Sequence, residues 1–301
     1  MIMKSTRFRV TCALHSNYCQ LRQRIEARGF PRAFFLFSLF LLLSVSGCSR
    51  ALISTPQEYA TSLAQEQNLA PFITRKGSFK IQGFKKISSP AALRPLHIFI
   101  EGDGRAWRNR YASQVDASPA NPLGLRIALS HPETDKVYLG RPCQFIMSDI
   151  CRSRYPQTAG RFDRKVLDTY MKILNDQRKE APQRPFILHG YSGGGTLALL
   201  LGLSRSDVVG VYTYAAPLDV EAWTSHHEVS PLQRAVNPTA FVKQSGTVQP
   251  AQLHFCGTRD DKVPCALTHA AVRSAFPSAK IIEKPYSHTS GWETLWQQEK
   301  R

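Results

Sequence analysis

The sequence has no internal repeat and no low-complexity tract, which argues against a solenoid, a propeller or a fibrous chain. Acidic residues are scarce: 22 Asp and Glu stand against 39 Lys and Arg, leaving a formal charge of +17. Such a balance favours anionic partners, yet no nucleic-acid motif accompanies it. The excess therefore reads as a dispersed solubilising charge, and nucleic acid is not an expected partner. Cysteine is also sparse, and the four cysteines beyond residue 48 lack metal-ligand spacing, so neither a zinc site nor any other metal or cofactor is expected. The apolar run Ala33 to Val45 has 13 residues, short of the roughly 20 that a membrane-spanning helix needs.

That run follows a basic region from Lys4 to Arg32 that holds a single acid, Glu26, and it precedes Val45-Ser46-Gly47-Cys48. The order reads as a targeting segment over residues 1–47. The tetrapeptide resembles the lipobox of bacterial lipoproteins, and the resemblance implies lipidation of Cys48 and a membrane partner through that anchor. With Ser49 rather than aspartate next in the chain, it implies the outer membrane of the bacterial envelope, facing the periplasm. An uncleaved anchor with an incidental cysteine is the alternative. The segment carries seven Lys or Arg and one acid, so without it the charge falls from +17 to +11. Residues 48–78 then form a linker and a helix, and residues 79–301 one large domain, expected to be a monomer. Four cysteines remain: Cys143, Cys151, Cys256 and Cys265. In an oxidising compartment an even number reads as disulfides, and of the three connectivities the local one, Cys143 with Cys151 and Cys256 with Cys265, is the simplest.

Thr55-Pro56-Gln57-Glu58 is a capping box and predicts a helix from Pro56 to about Gln67. Strands are predicted at Phe79 to Lys86, Pro95 to Glu101, Lys136 to Gly140, Phe186 to His189, Val208 to Ala215, Gln252 to Cys256 and Lys280 to Lys284. Helices are predicted at Pro122 to Ser130, Asp163 to Lys179, Thr196 to Leu203, Ala266 to Ala275 and Ser290 to Lys300. The alternation predicts an α/β domain with a mostly parallel central sheet and helices on both faces. Two long connections, Arg141 to Phe162 and Ala216 to Pro250, interrupt it as loops.

Between the strand at Phe186 and the helix at Thr196 stands Gly190-Tyr191-Ser192-Gly193-Gly194. This is the Gly-x-Ser-x-Gly pattern of a nucleophile elbow, in which a strained turn lifts the serine hydroxyl above the sheet. Glycines two residues either side of Ser192 fit, because side chains there would collide where strand and helix close on the turn. Later in the chain come Gly257-Thr258-Arg259-Asp260-Asp261-Lys262-Val263-Pro264, after the next-to-last strand, and Tyr286-Ser287-His288-Thr289, after the last. The chain from about Phe79 onward resembles the α/β-hydrolase superfamily.

The resemblance implies Ser192 as nucleophile, His288 as base and Asp260 as the acid that orients it, in that family's chain order of nucleophile, acid, histidine. Asp261 and Asp219 are the alternatives for the acid, and His226 for the base. It also implies an oxyanion hole made by the backbone N–H of Gly193 and by that of Asp103, in the turn Gly102-Asp103-Gly104 after a core strand. An acidic side chain there is unfavourable unless it turns away or is paired, with Arg105 as the candidate partner. The activity so implied is hydrolysis of an ester or related acyl bond in a small-molecule or lipid-like substrate, with peptidase and acyltransferase action open. The mixed, partly polar 216–250 connection is unlike a triglyceride lipase lid. The competing expectation is a lipid-anchored binding or scaffold protein that kept the fold without turnover.

Overall fold

The computed structural model describes residues 55–109, 111–245 and 249–298. The targeting segment, Cys48 and Ser49 lie outside the described residues. Ten strands are present among those described: β1 (Ala70–Lys76), β2 (Phe79–Lys86), β3 (Leu96–Ile100), β4 (Trp107–Asn109), β5 (Ala112–Ser113), β6 (Lys136–Leu139), β7 (Phe186–Tyr191), β8 (Val208–Tyr214), β9 (Ala251–Gly257) and β10 (Lys280–Lys284). Eight form one sheet in the order β1-β2-β6-β3-β7-β8-β9-β10, while β4 and β5 pair as a separate hairpin. β2 runs antiparallel to β1 and β6, and every other adjacent pair in the sheet is parallel. The mostly parallel α/β sheet read from the sequence is therefore present.

Parallel central strands are covered on both faces, so they are apolar almost without a break. β3, Leu-His-Ile-Phe-Ile, is buried at all five positions. Its residues alternate between two cores. Ile98 and Ile100 join the core formed with α3 (Arg164–Glu180) and α4 (Gly193–Leu203), whereas Phe99 joins the one formed with α1 (Pro56–Glu66) and α2 (Leu123–Ser130). The helix α1 begins where the capping box places it: Thr55 Oγ1 accepts from Glu58 N, and the Glu58 carboxylate accepts from Thr55 N.

The departures from the sequence reading are local, the β4–β5 hairpin among them. β1 has no predicted counterpart. It is an edge strand whose side chains are exposed or half-buried, and it opens on Ala70-Pro71, so its pattern lacks an apolar face. The 216–250 connection is not one loop. It holds α5 (Val220–His226) and α6 (Pro238–Ser245), and the Asp219 carboxylate gathers Ala222 N, Asn237 Nδ2 and Thr239 Oγ1 to tie them together. The closing helix is a 3₁₀ turn at Trp292–Thr294 followed by a short α8 (Leu295–Gln298). Gly291, at φ 101°, sets that late start and Trp292 is fully buried.

Both disulfides take the local pairing. Cys143 and Cys151 lie with Cα atoms 5.5 Å apart, Cys256 and Cys265 5.2 Å apart. The first belongs to the 141–162 connection, whose only regular piece among the described residues is a 3₁₀ turn, Asp149–Ser153. The second joins the end of β9 to the first residue of α7 (Cys265–Ala275).

Candidate active site

β7 ends at Tyr191 and α4 begins at Gly193, leaving Ser192 alone to reverse the chain at φ 51°, ψ −125°. A non-glycine residue is strained there and is held only because its surroundings over-determine it. The glycines make the turn possible. A Cβ on Gly190 would overlap the Gly194 carbonyl, and one on Gly194 would overlap the carbonyls of Ile100 and Glu101. Every residue of α4 is buried, so the turn stands on a rigid base.

The Ser192 hydroxyl lies 3.1 Å from Nε2 of His288, and Nδ1 of His288 lies 2.8 Å from Oδ2 of Asp260. The other oxygen of Asp260 accepts from the N–H groups of Lys262 and Val263, each at 2.8 Å. These bonds occupy both carboxylate oxygens and fix the one that faces the imidazole. His288 rides on a tight turn, where Ser287 pairs with Ser290 and the Trp292 indole donates to the Ser287 carbonyl at 2.9 Å. A Cβ on Gly257 would overlap the Tyr286 carbonyl, so the loops of Asp260 and His288 touch backbone to backbone. The structure thus brings together Ser192, His288 and Asp260. The alternatives lie elsewhere: Asp261 is exposed and paired with Lys262, Asp219 caps α5, and His226 ends α5 with its ring against His227. An imidazole held this way can take the hydroxyl proton and return it, with the carboxylate stabilising the imidazolium.

The turn after β3 is held from three sides. The buried Glu101 carboxylate accepts from Gly102 N (2.9 Å), Gly124 N (3.0 Å), Leu125 N (3.2 Å) and the Tyr138 hydroxyl (2.9 Å). Burial pushes its carboxyl up, and these bonds pull it back only in part. Gln144 donates to the Gly102 carbonyl at 2.8 Å while its own oxygen accepts from Arg141 N. Gly104, at φ 63°, passes against the Ala117 carbonyl, where no side chain fits. Among the described residues, no backbone carbonyl outside the helices and strands accepts from the N–H of Gly193 or of Asp103.

The pairing of Asp103 with Arg105 does not occur. Arg105 turns to the Ser118 carbonyl at 2.8 Å, and Asp103 pairs instead with Arg141 (2.9 Å) and Arg161 (3.2 Å), both buried. Arg141, Gln144 and Arg161 are the site residues that the sequence reading missed. Their signal was two arginines on a cystine-closed connection at a strand end, which names no partner by itself.

Among the described residues, two further groups lie close enough to hold a metal, His97 with His131 and His189, and Cys256 with His269 and Glu283. Cys256 is spent in its disulfide. In the first group His97 Nδ1 and His189 Nε2 share a hydrogen bond at 2.8 Å, and Glu133 N donates to His131 Nδ1. These nitrogens serve one another and the backbone inside the second core.

No protein-family model matches the sequence, and no curated protein matches it. Solved structures do. Est1E from Butyrivibrio proteoclasticus with ferulic acid bound superposes with a TM-score of 0.56 at 13% identity, over 75% of this chain and 95% of that one. The Pyrococcus furiosus esterase Pf2001 gives 0.50 at 10% identity, over 78% and 90%. The Pyrococcus horikoshii acylaminoacyl peptidase gives 0.50 at 12% identity, over 73% and 38%. The fold is the α/β-hydrolase fold. In the α/β-hydrolase fold of this chain, Ser192 follows β7, Asp260 follows β9 and His288 follows β10. A shared fold at such identity carries no chemistry with it, so the reaction has to be argued from the residues.

Proposed function

We propose that the chain is a serine hydrolase that cleaves an ester or related acyl bond through an acyl-enzyme. It would be lipid-anchored at Cys48 in the bacterial envelope and face the periplasm. The observation that carries the reading is the unbroken hydrogen-bonded row from the strained Ser192 through His288 to Asp260. His288 Nε2 takes the hydroxyl proton as Ser192 Oγ bonds to the carbonyl carbon, and the oxygen turns negative beside the N–H groups of Gly193 and Asp103. The imidazolium then protonates the leaving alcohol as its bond to carbon breaks. A water, deprotonated in turn by His288, cleaves the acyl-serine ester and restores the hydroxyl.

The reading calls for an acyl substrate, small or lipid-like, and for no cofactor and no nucleic acid. Because one fold serves an esterase and an acylaminoacyl peptidase, it does not choose the bond. Ester hydrolysis comes first, with peptidase or acyltransferase action as finer alternatives. A binding or scaffold protein without turnover is the second reading, favoured by the acidic side chain beside the donor turn.

The test is labelling with a fluorophosphonate probe. Labelling that disappears in Ser192→Ala supports the enzyme, and a folded wild type that stays unlabelled supports the scaffold. A panel of p-nitrophenyl esters of increasing chain length then identifies the acyl group. Globomycin-sensitive processing and radiolabelled palmitate at Cys48 test the anchor, which Cys48→Ala should abolish.

A further inference from the structure

The Asp103 carboxylate stands where it should harm the reaction. Its Oδ1 occupies the space that a Cβ on Gly193 would need, so a negative charge sits against the amide next to the nucleophile. Like charges at such range repel strongly in a partly desolvated site.

The two oxygens are taken by different cations, Oδ1 by Arg141 Nη1 at 2.9 Å and Oδ2 by Arg161 Nε at 3.2 Å. Arg141 also donates to the Arg161 carbonyl at 2.7 Å, which joins the two arms. Both guanidinium groups lean on the Phe162 ring, at 5.6 and 5.5 Å, and that of Arg161 also lies 5.3 Å from Trp223. Side-chain exposure is 4% for Arg141 and 8% for Arg161, against 28% for Asp103. The cations are therefore sealed behind the carboxylate, out of reach of solvent screening. Glu101, the other nearby acid, turns its carboxyl to the start of α2 and takes no part. Two cations against one anion leave a buried excess of one positive charge. A purely structural pair needs no second arginine, because burying an uncompensated cation is costly.

We infer that Arg141 and Arg161 are positioning residues for the proposed hydrolysis. They cancel the Asp103 charge, hold its turn in place and keep the net charge positive where the oxyanion forms. The inference rests on Ser192 being the nucleophile.

It is tested with the full chain on a p-nitrophenyl ester, comparing wild type, Arg161→Gln, and Arg161→Gln combined with Asp103→Asn. Arg161→Gln uncovers the carboxylate, and kcat is expected to fall on the order of tenfold or more with KM little changed. The added Asp103→Asn removes that carboxylate and is expected to recover most of the loss. A double variant as slow as the single one, or slower, overturns the inference, since structural damage does not reverse on adding a second substitution. Should Arg161→Gln not fold, as read from its melting curve, the same comparison at Arg141 decides: Arg141→Gln is expected to lose on the order of tenfold in kcat and to recover most of it with Asp103→Asn, and a folded Arg141→Gln without that recovery overturns the inference. A wild type that a fluorophosphonate does not label rejects the hydrolase reading itself. A labelled wild type without rescue rejects only the role of the arginines.

Discussion

The hydroxyl of Tyr191, one residue before the elbow serine, donates to the backbone carbonyl of His288 at 2.7 Å, and the two rings lie 5.5 Å apart. The strand that leads into Ser192 thus also holds the turn that carries His288. Tyr191→Phe removes one hydrogen bond of about 1 kcal/mol, and kcat is expected to fall roughly fivefold with little change in melting temperature. Unchanged kcat in this variant would show that the histidine turn holds itself.

His288→Ala and Ser192→Ala are expected to lose comparable activity, and Asp260→Asn on the order of 10⁴ in kcat, as for groups that work as a unit. Asp261→Asn is the control: its carboxylate is exposed and paired only with Lys262, and its kcat should match the wild type. The reverse outcome for the two aspartates would reassign the acid.

Much of this site was legible in the sequence because backbone geometry demanded particular residues. Gly190 and Gly194 could be read as space the turn needs, and the carbonyls they approach are the reason. Asp260 and His288 were legible from their places after β9 and β10. Arg141 and Arg161 were not, because their partner Asp103 is 38 and 58 residues away along the chain, and the sequence does not encode which carboxylate a loop arginine will meet. The two short helices after β8 were hidden for a similar reason. The cap of α5 is completed by Asn237 and Thr239, on the far side of the same connection. β1 was missed because an edge strand has little apolar face to announce it.

Reduction of the disulfides should reach the site before the sheet. Each closes a loop of about ten residues, worth on the order of 2.5 kcal/mol by loop entropy. Cys256–Cys265 encloses Asp260, and Cys143–Cys151 encloses Gln144, which grips the Gly102 carbonyl. Titration with dithiothreitol is expected to lower esterase activity at concentrations that leave far-ultraviolet circular dichroism unchanged. Simultaneous loss of both signals would place the bridges in the stability of the whole domain.

Acid should destabilise the domain through its buried histidines. Burial, with the charges of Lys136, Arg184 and Arg94, lowers His97 to about 4, and burial lowers His254 to about 3. Both are neutral in the folded chain, while the unfolded chain takes up protons near pH 6.5. Their contribution is complete above pH 6.5 and is lost as pH falls toward those values, by up to about 1.4 kcal/mol per pH unit for each group. The urea midpoint is expected to fall from pH 6.5 to 4, and His254→Gln should flatten that slope. Asp135 acts lower still: burial opposes its charge, but hydrogen bonds from Ser88, Arg184 and Ser89 outweigh it and bring the carboxyl to about 2, so its share is lost only between pH 4 and 2. A midpoint flat from pH 6.5 to 4 would contradict the assignment of the histidines.

Helix α2 has no side-chain cap of its own, since Pro122 occupies the capping position. Glu101 fills that role from the strand beside it, with one carboxyl group holding both the first turn of α2 and the amide of Gly102. The donor turn cannot drift without unwinding the helix, and the helix cannot fray without releasing the turn. A shared anchor of this kind ties the order of the turn to that of the packed helix behind it.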